Sequence, residues 1–472
     1  MNNTKEIVSK NTQVSSRQQT YIGITKAGGD ILGVMFNGAL LTFYVDILHM
    51  DPELFGIVMI IFAIWNAIND PIFGFMSDKK SMDNRGKRSF FIRFSSPIFF
   101  IGFLMFWLAS PSMSKAAFFV FLLIALFIFD TGLTIFGLNL SAIQVSQTTD
   151  TKERTKIAII ASVISFLPVG IAAILPNIVL TSNIALIYIR LIFIGMGIIS
   201  VVFMLVGSFK LKELSLEKEG IEPLSIWPAI KETLKMRSFL TFVLVNFMFT
   251  AVSFNIVAVM PLYFKYVSQI GDWTVLWVSL PIGLLQVPLY FLYGKIQNKI
   301  GIKYSVFLIT GIMLVGFIGL FFSRDIYSTT LCYGLCLWMT TFYFIIVNPM
   351  VGDIADEDEL KTGRRREGMF FGINALITKP ASSLIVLFFT LIISYFGYNS
   401  ELDVQTLEAQ FGLRLGLSIL SIAFLVAALI PLIFYPLYGE KIAQIKNKLV
   451  LKHNNEQKLL SDIKTQKEEE LC

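Results

Sequence analysis

The chain has 472 residues, 55% hydrophobic and 14% aromatic, with only 15% charged and a formal net charge of +6. Soluble domains carry about 25% charged residues, so a soluble multidomain enzyme is excluded, and a mean hydropathy of +0.69 describes a chain mostly embedded in lipid. Two histidines (His49, His453) and three cysteines (Cys332, Cys336, Cys472) supply neither a zinc ligand set nor a disulfide framework. Cys332 and Cys336, one turn apart in an apolar stretch, read as core thiols. Nothing resembling a nucleophile, a phosphate loop or a metal set appears, so neither enzymatic activity nor a cofactor is expected.

Residues 1–27 are polar and carry Lys5, Lys10, Arg17 and Lys26 without an apolar h-region; they read as a cytoplasmic segment and not as a cleavable signal peptide. Six apolar windows follow, at 28–49, 54–77, 90–110, 116–143, 156–180 and 183–209, each long enough for a spanning helix of about 20 residues. A polar linker at 210–237 holds a charged stretch from Lys210 to Glu219 and the breakers Pro223 and Pro228. Six more windows follow, at 238–265, 273–294, 303–322, 328–352, 368–396 and 411–438. Continuous apolar runs of this kind are helices and not barrel strands. The expected architecture is all-α and integral to the membrane, with twelve transmembrane helices in two six-helix bundles (28–209 and 238–439). A basic cytoplasmic tail (440–472) is amphipathic from Lys441 to Lys467 and suited to an anionic leaflet.

Of the 39 Lys and Arg residues, 33 fall in the two termini and the even-numbered loops. The positive-inside bias then places both termini in the cytoplasm, as an even helix count requires. The +6 is membrane topology and implies no nucleic-acid partner. The halves also echo each other. Gly74, Asp78, Arg85 and Gly86-Lys-Arg88 follow the second window, and Gly294, Lys295, Asn298, Gly301 and Lys303 follow the eighth. The Asp150–Arg154 loop follows the fourth, and the run from Asp356 to Glu367 follows the tenth. Paired repeats organise secondary transporters, whose substrate site lies near the midplane between the repeats.

The segment Ile64-Trp-Asn-Ala-Ile-Asn-Asp-Pro-Ile-Phe-Gly74 with its basic loop, the segment from Gly352 to Gly372, the run Ala375-Leu-Ile-Thr-Lys379, and Gly28-Gly-Asp30 and Phe43-Tyr-Val-Asp46 together resemble the glycoside-pentoside-hexuronide:cation symporters. This is the melibiose-permease-like branch of the major facilitator superfamily. The similarity runs in order along essentially the whole chain. It implies the major facilitator fold and Na+- or H+-coupled symport of a glycoside or similar polar solute by alternating access. The implied setting is the cell membrane, and the implied working unit is a monomer whose partners are a small-molecule substrate and the bilayer.

The residues carry the same idea physically. Asn66 and Asp70 lie one turn apart and face the same way, and an ionised Asp at hydrocarbon depth usually faces a cavity or a partner. Asp70, Asn66 and Asn69 form the expected coupling site; Lys379 from the other half either shares it with the substrate or merely pins the halves together. Two of the family's three cation-site carboxylates are missing, because Asn66 and Gly137 stand at their positions, which lowers the expected Na+ affinity and leaves H+ open. Asp130, two turns before Gly137, is either a displaced carboxylate or a polar residue at the outer mouth of helix four. Asp30 matches the family's sugar-hydroxyl acceptor. The expected helix-four Trp and helix-five Arg fall on Ser141 and Ser162, so the sugar grip is weakened. With 44 Phe residues, a lipid-like amphiphile of lysolipid type is the alternative substrate, and a non-transporting receptor or scaffold is a second alternative. Arg190 pairs with Asp130, contacts an anionic substrate, or snorkels; Lys265, ending helix seven, is expected to snorkel. Asp78, Arg85, Lys87 and Arg88 on one side, and Asp353, Asp356, Arg364, Arg365 and Arg366 on the other, are candidates for inter-bundle ion pairs on the cytoplasmic face.

Overall fold

The computed structural model describes residues 14–79, 87–147, 151–182, 184–211, 231, 233–362, 367–445 and 447–449, with the side chains of Asp70, Asp78 and Lys87 outside the described set. Arg85 and Arg364 to Arg366 also lie outside it. Twelve helical rods run in order among the described residues: α1 (Ser16–Ile47), α2 (Pro52–Lys79), α3 (Lys87–Leu108), α4 (Lys115–Ser146), α5 (Thr151–Val179), α6 (Leu186–Lys210), α7 (Arg237–Ser268), α8 (Val275–Ile300), α9 (Ile302–Phe322), α10 (Ile326–Thr362), α11 (Glu367–Thr378 continuing as Pro380–Tyr395) and α12 (Leu407–Phe434). Ten are long and apolar enough to cross a membrane, and α2 and α8 contribute the shorter apolar stretches Pro52–Asn66 and Val275–Gln286. The chain is a multi-pass membrane protein.

Local chemistry sets several boundaries. Ser15 caps α1 by accepting from the Gln18 amide at 3.3 Å, so the helix begins twelve residues ahead of its apolar window. Thr406 caps α12 through the Ala409 amide at 3.1 Å. Such caps satisfy amides that have no partner within the helix. Pro380, which has no amide hydrogen to donate, interrupts α11 at Lys379.

Within the first half α1 packs on α5 and α6, α3 on α4 and α6, and α2 on α4; within the second, α7 packs on α11 and α12, α9 on α10 and α12, and α8 on α10. The two halves thus share one packing plan. They meet along α1–α7, α2–α11 and α5–α8. The central rods are the most enclosed: 72% of the apolar window of α1 and 61% of that of α7 are buried, against 28% for α5 and α6. In lipid the hydrophobic effect gives helices little reason to associate, so close packing and interhelical hydrogen bonds must do so. Ser200 of α6 donates to the Gly28 carbonyl of α1, and Asn255 of α7 donates to the Gly416 carbonyl and the Ser421 hydroxyl of α12, both at 3.0 Å.

Glycine permits the closest contact. A Cβ on Gly102 of α3 would lie 2.4 Å from the Phe129 backbone, and one on Gly132 of α4 would lie 2.4 Å from the Phe99 backbone. Both contacts are with backbone, so side-chain rearrangement brings no relief. Gly132→Val is expected to cost at least the 1–3 kcal/mol, roughly, of an overpacked core. The check is the melting temperature of detergent-solubilised protein followed by size exclusion, with Gly311→Ala, at a glycine facing open space, as the unaffected control.

Candidate functional site

Among the described residues, three arrangements of polar groups in the apolar interior bear on function. The first is a cavity of 440 Å3 walled by α1, α4 and one residue of α5, with Lys26, Asp30, Asn37, Ser141 and Gln144 as its polar lining and Leu133, Phe136, Leu140 and Val169 among its apolar residues. Gly29, Gly33 and Gly137 also line it, and no atom lies within 4 Å of where a Cβ on Gly33 or Gly137 would sit. Where the sequence lacks the expected helix-four carboxylate, the fold therefore has open space. Asp30 and Ser141 both line this cavity. Ser162, two turns before Val169 on α5, is exposed and outside this lining. Lys379 is half-buried at the break in α11, and the cation on Asp30 is instead Lys26, one turn away on α1.

The second arrangement is a fully buried polar cluster between α2 and α4, one turn along α4 from the cavity wall. Asn69 donates to the Asp130 carboxylate, and the Thr134 hydroxyl donates to the Asn69 side-chain carbonyl at 3.3 Å. Asn69 is 0% and Asp130 2% exposed, so both are enclosed between the helices. One turn before Asn69, the Asn66 side-chain oxygen is buried without a hydrogen-bond partner. Such an acceptor costs about 1–3 kcal/mol unless something occupies it. The cluster therefore offers oxygens from one carboxylate, two amides and a hydroxyl, the donor types that suit a hard cation or a proton. Among the described residues no group of three or more His, Cys, Asp or Glu is placed to hold a metal ion.

The third arrangement lies at the end of the molecule opposite the N-terminus and was missed in the sequence. The last turn of α1, Phe43–Ile47, is π-helical, and it carries Asp46, whose carboxylate is wholly buried. That carboxylate accepts from the Lys265 ammonium at 2.6 Å, from the Tyr398 hydroxyl at 2.6 Å and from the Tyr266 hydroxyl. Lys265 and Tyr266 end α7, and Tyr398 follows α11. One carboxylate thus ties α1 of the first half to two elements of the second. The expectation that Lys265 snorkels is overturned: its charge is spent on Asp46, in the low-dielectric seam where charged groups persist only when paired. An Asp within an apolar window was the available signal, though neither tyrosine is distinguishable in sequence from any other.

Arg190 does not pair with Asp130. It sits in the first turns of α6 and donates to the Ala109 carbonyl just beyond α3, capping a helix end that lacks intrahelical donors. On the N-terminal side of the molecule, Glu357 of α10 accepts from Lys361 at 2.9 Å and lies 3.8 Å from Lys441 of the tail. Arg88 and Asp356 are half-buried and Asp353 is buried; the remaining members of the anticipated cytoplasmic pairs lie outside the described residues or side chains.

The chain is similar to other membrane proteins, and its fold to those of solved transporters. The chain aligns at 21% identity over 464 residues with the sodium-dependent lysophosphatidylcholine symporter 1 of Xenopus tropicalis, covering 89% of this chain and 87% of the relative. It aligns at 23% over 425 residues with transmembrane protein 180 of Gallus gallus, covering 77% and 79%. Among solved structures it resembles a bacterial homolog of the human lysosomal transporter Spinster (TM-score 0.63, 14% identity, 89% of this chain and 97% of that one). It also resembles the nucleoside transporter NupG (TM-score 0.60, 13% identity, 89% and 100%). The family model described as MFS/sugar transport protein matches residues 21–439, and the chain therefore belongs to that family of membrane transporters.

Proposed function

We propose that the chain is a secondary active transporter of the cell membrane, with both termini cytoplasmic, that couples the movement of Na+ or H+ to that of a glycoside or similar polar organic solute by alternating access. The observation that carries this reading is the composition of the cavity: a carboxylate, a lysine, two amides and a hydroxyl gathered from α1 and α4, with the far end of the bundles tied at Asp46. Solute binds at Asp30, and the coupling ion binds in the neighbouring cluster of Asn66, Asn69 and Asp130 together with Asp70 of the same helix. The two halves, 28–209 and 238–439, rock as units about the α1–α7, α2–α11 and α5–α8 seams. Lys379, at the α11 break, lies on the half that approaches α2 and answers charge changes there.

A second reading, transport of a lipid-like amphiphile, is favoured by the name of the Xenopus relative and by the apolar wall of Leu133, Phe136, Leu140 and Val169 facing the polar groups. The test is uptake into proteoliposomes, under an imposed Na+ or pH gradient, of a labelled panel spanning neutral glycosides, charged polar solutes and a lysolipid. Asp30→Asn is expected to lower uptake of the accepted solute at least tenfold without loss of folded protein. Uptake that is indifferent to Asp30 would remove the cavity from the transport path.

A further inference from the structure

Lys26 belongs by composition to the basic segment ahead of the first apolar window, yet the fold carries it inward. It is the eleventh residue of α1, about 15 Å along the helix from its start, and lines the same cavity as Asp30. Its ammonium bonds the Asp30 carboxylate, with the two side chains 33% and 36% exposed, so both remain open to the cavity. That placement sets an ammonium and a carboxylate side by side on the cavity wall.

The pair is neutral overall, and that neutrality selects. A simple anion docking on Lys26 strands the Asp30 charge, and a simple cation docking on Asp30 strands Lys26; each leaves an uncompensated charge in a partly desolvated site. A neutral polyol must compete for two groups that already satisfy each other. A zwitterion replaces both partners at once, with a charge-assisted hydrogen bond at each end and no change in the net charge of the cavity. The remaining lining suits such a solute: Asn37, Gln144 and Ser141 offer uncharged polar contacts and Phe136 an apolar face, within 440 Å3, a volume in the range of small-molecule sites.

We propose that the transported solute is a small zwitterion whose anionic group, a carboxylate or phosphate ester, docks on Lys26 while its ammonium docks on Asp30. The inference rests on the reading of this cavity as the transport site. It is tested on the purified full-length protein in lipid nanodiscs by ligand-induced thermal stabilisation, with four probes: glycerophosphocholine as zwitterion, glycerol phosphate as anion, choline as cation and methyl β-galactoside as neutral glycoside. The zwitterion is expected to stabilise the protein at the lowest concentration, with affinity falling at least tenfold in Lys26→Gln and in Asp30→Asn. The doubly exchanged protein, Lys26→Asp with Asp30→Lys, keeps the ion pair and is expected to recover zwitterion binding, which separates a binding role from a merely structural one. Stabilisation by the glycoside equal to or greater than that by the zwitterion, and equal in wild type and Lys26→Gln, overturns the inference while leaving the cavity a transport site. Binding of every probe unchanged by both single variants overturns the inference and the cavity reading together, and so does an absence of stabilisation by all four.

Discussion

Asp46→Ala is expected to open the far end of the molecule and to cut transport at least tenfold. In the closed arrangement this one carboxylate accepts hydrogen bonds from Lys265, Tyr266 and Tyr398, and its removal leaves a half-buried ammonium and two buried hydroxyls without their acceptor. Breaking a buried ion pair from one side costs about 3–5 kcal/mol. The cost falls on the closed state alone, because in the open state the same groups are parted and hydrated. Even 3 kcal/mol shifts the ratio of closed to open forms by roughly a hundredfold, enough to stall a cycle that must pass through both. Labelling by a membrane-impermeant maleimide reports the shift: a cysteine placed at the buried Thr42, one turn inside the latch, in a protein without other cysteines, should react at least ten times faster in Asp46→Ala. Lys265→Met should give a smaller increase, since both tyrosines keep their acceptor. Unchanged labelling in both variants would mean that this end of the seam is held by apolar packing alone.

The second large effect is expected at Asp130. Asn69 donates to its carboxylate and is itself held by Thr134, so Asp130→Asn preserves size and removes the only full charge in the described part of the cluster. If this carboxylate takes part in ion coupling, gradient-driven accumulation should collapse to the equilibrium level, while exchange of labelled for unlabelled solute across the same membrane, which needs no net ion movement, should persist. Asp70→Asn should behave in the same way. Running the assay with a Na+ gradient at constant pH and with a pH gradient in Na+-free buffer identifies the ion. Retained accumulation in both variants would place coupling elsewhere.

The membrane character, the helix windows and the basic face were legible because each rests on a property of residue type summed over about 20 positions. Asp30 and Asn69 were legible as polar groups at depths where lipid tolerates few. Partnership was not legible. Lys26 sits in sequence among charges that only mark a membrane face, and its place in the cavity follows from the Ser15 cap, which starts α1 early. Lys265 reads as a snorkelling residue because it ends helix seven; its partner lies 219 residues away. Arg190 has the same history, its acceptor being a backbone carbonyl at the end of another helix, which no side-chain pattern reveals. Ser162, where the resemblance sets the helix-five Arg, is exposed and lies outside the cavity lining.

By itself, then, the sequence determined that this chain spans a membrane with many helices, which end of each helix carries the basic residues, and which polar residues lie within the apolar windows. Those are one-dimensional consequences of the cost of charge in hydrocarbon. The tertiary structure alone decided which of those polar residues share a cavity, which carboxylate joins the two halves at the far end, and which lysine pairs with Asp30. Each depends on groups brought together from distant helices, or on one helix beginning a few turns before its hydrophobicity does.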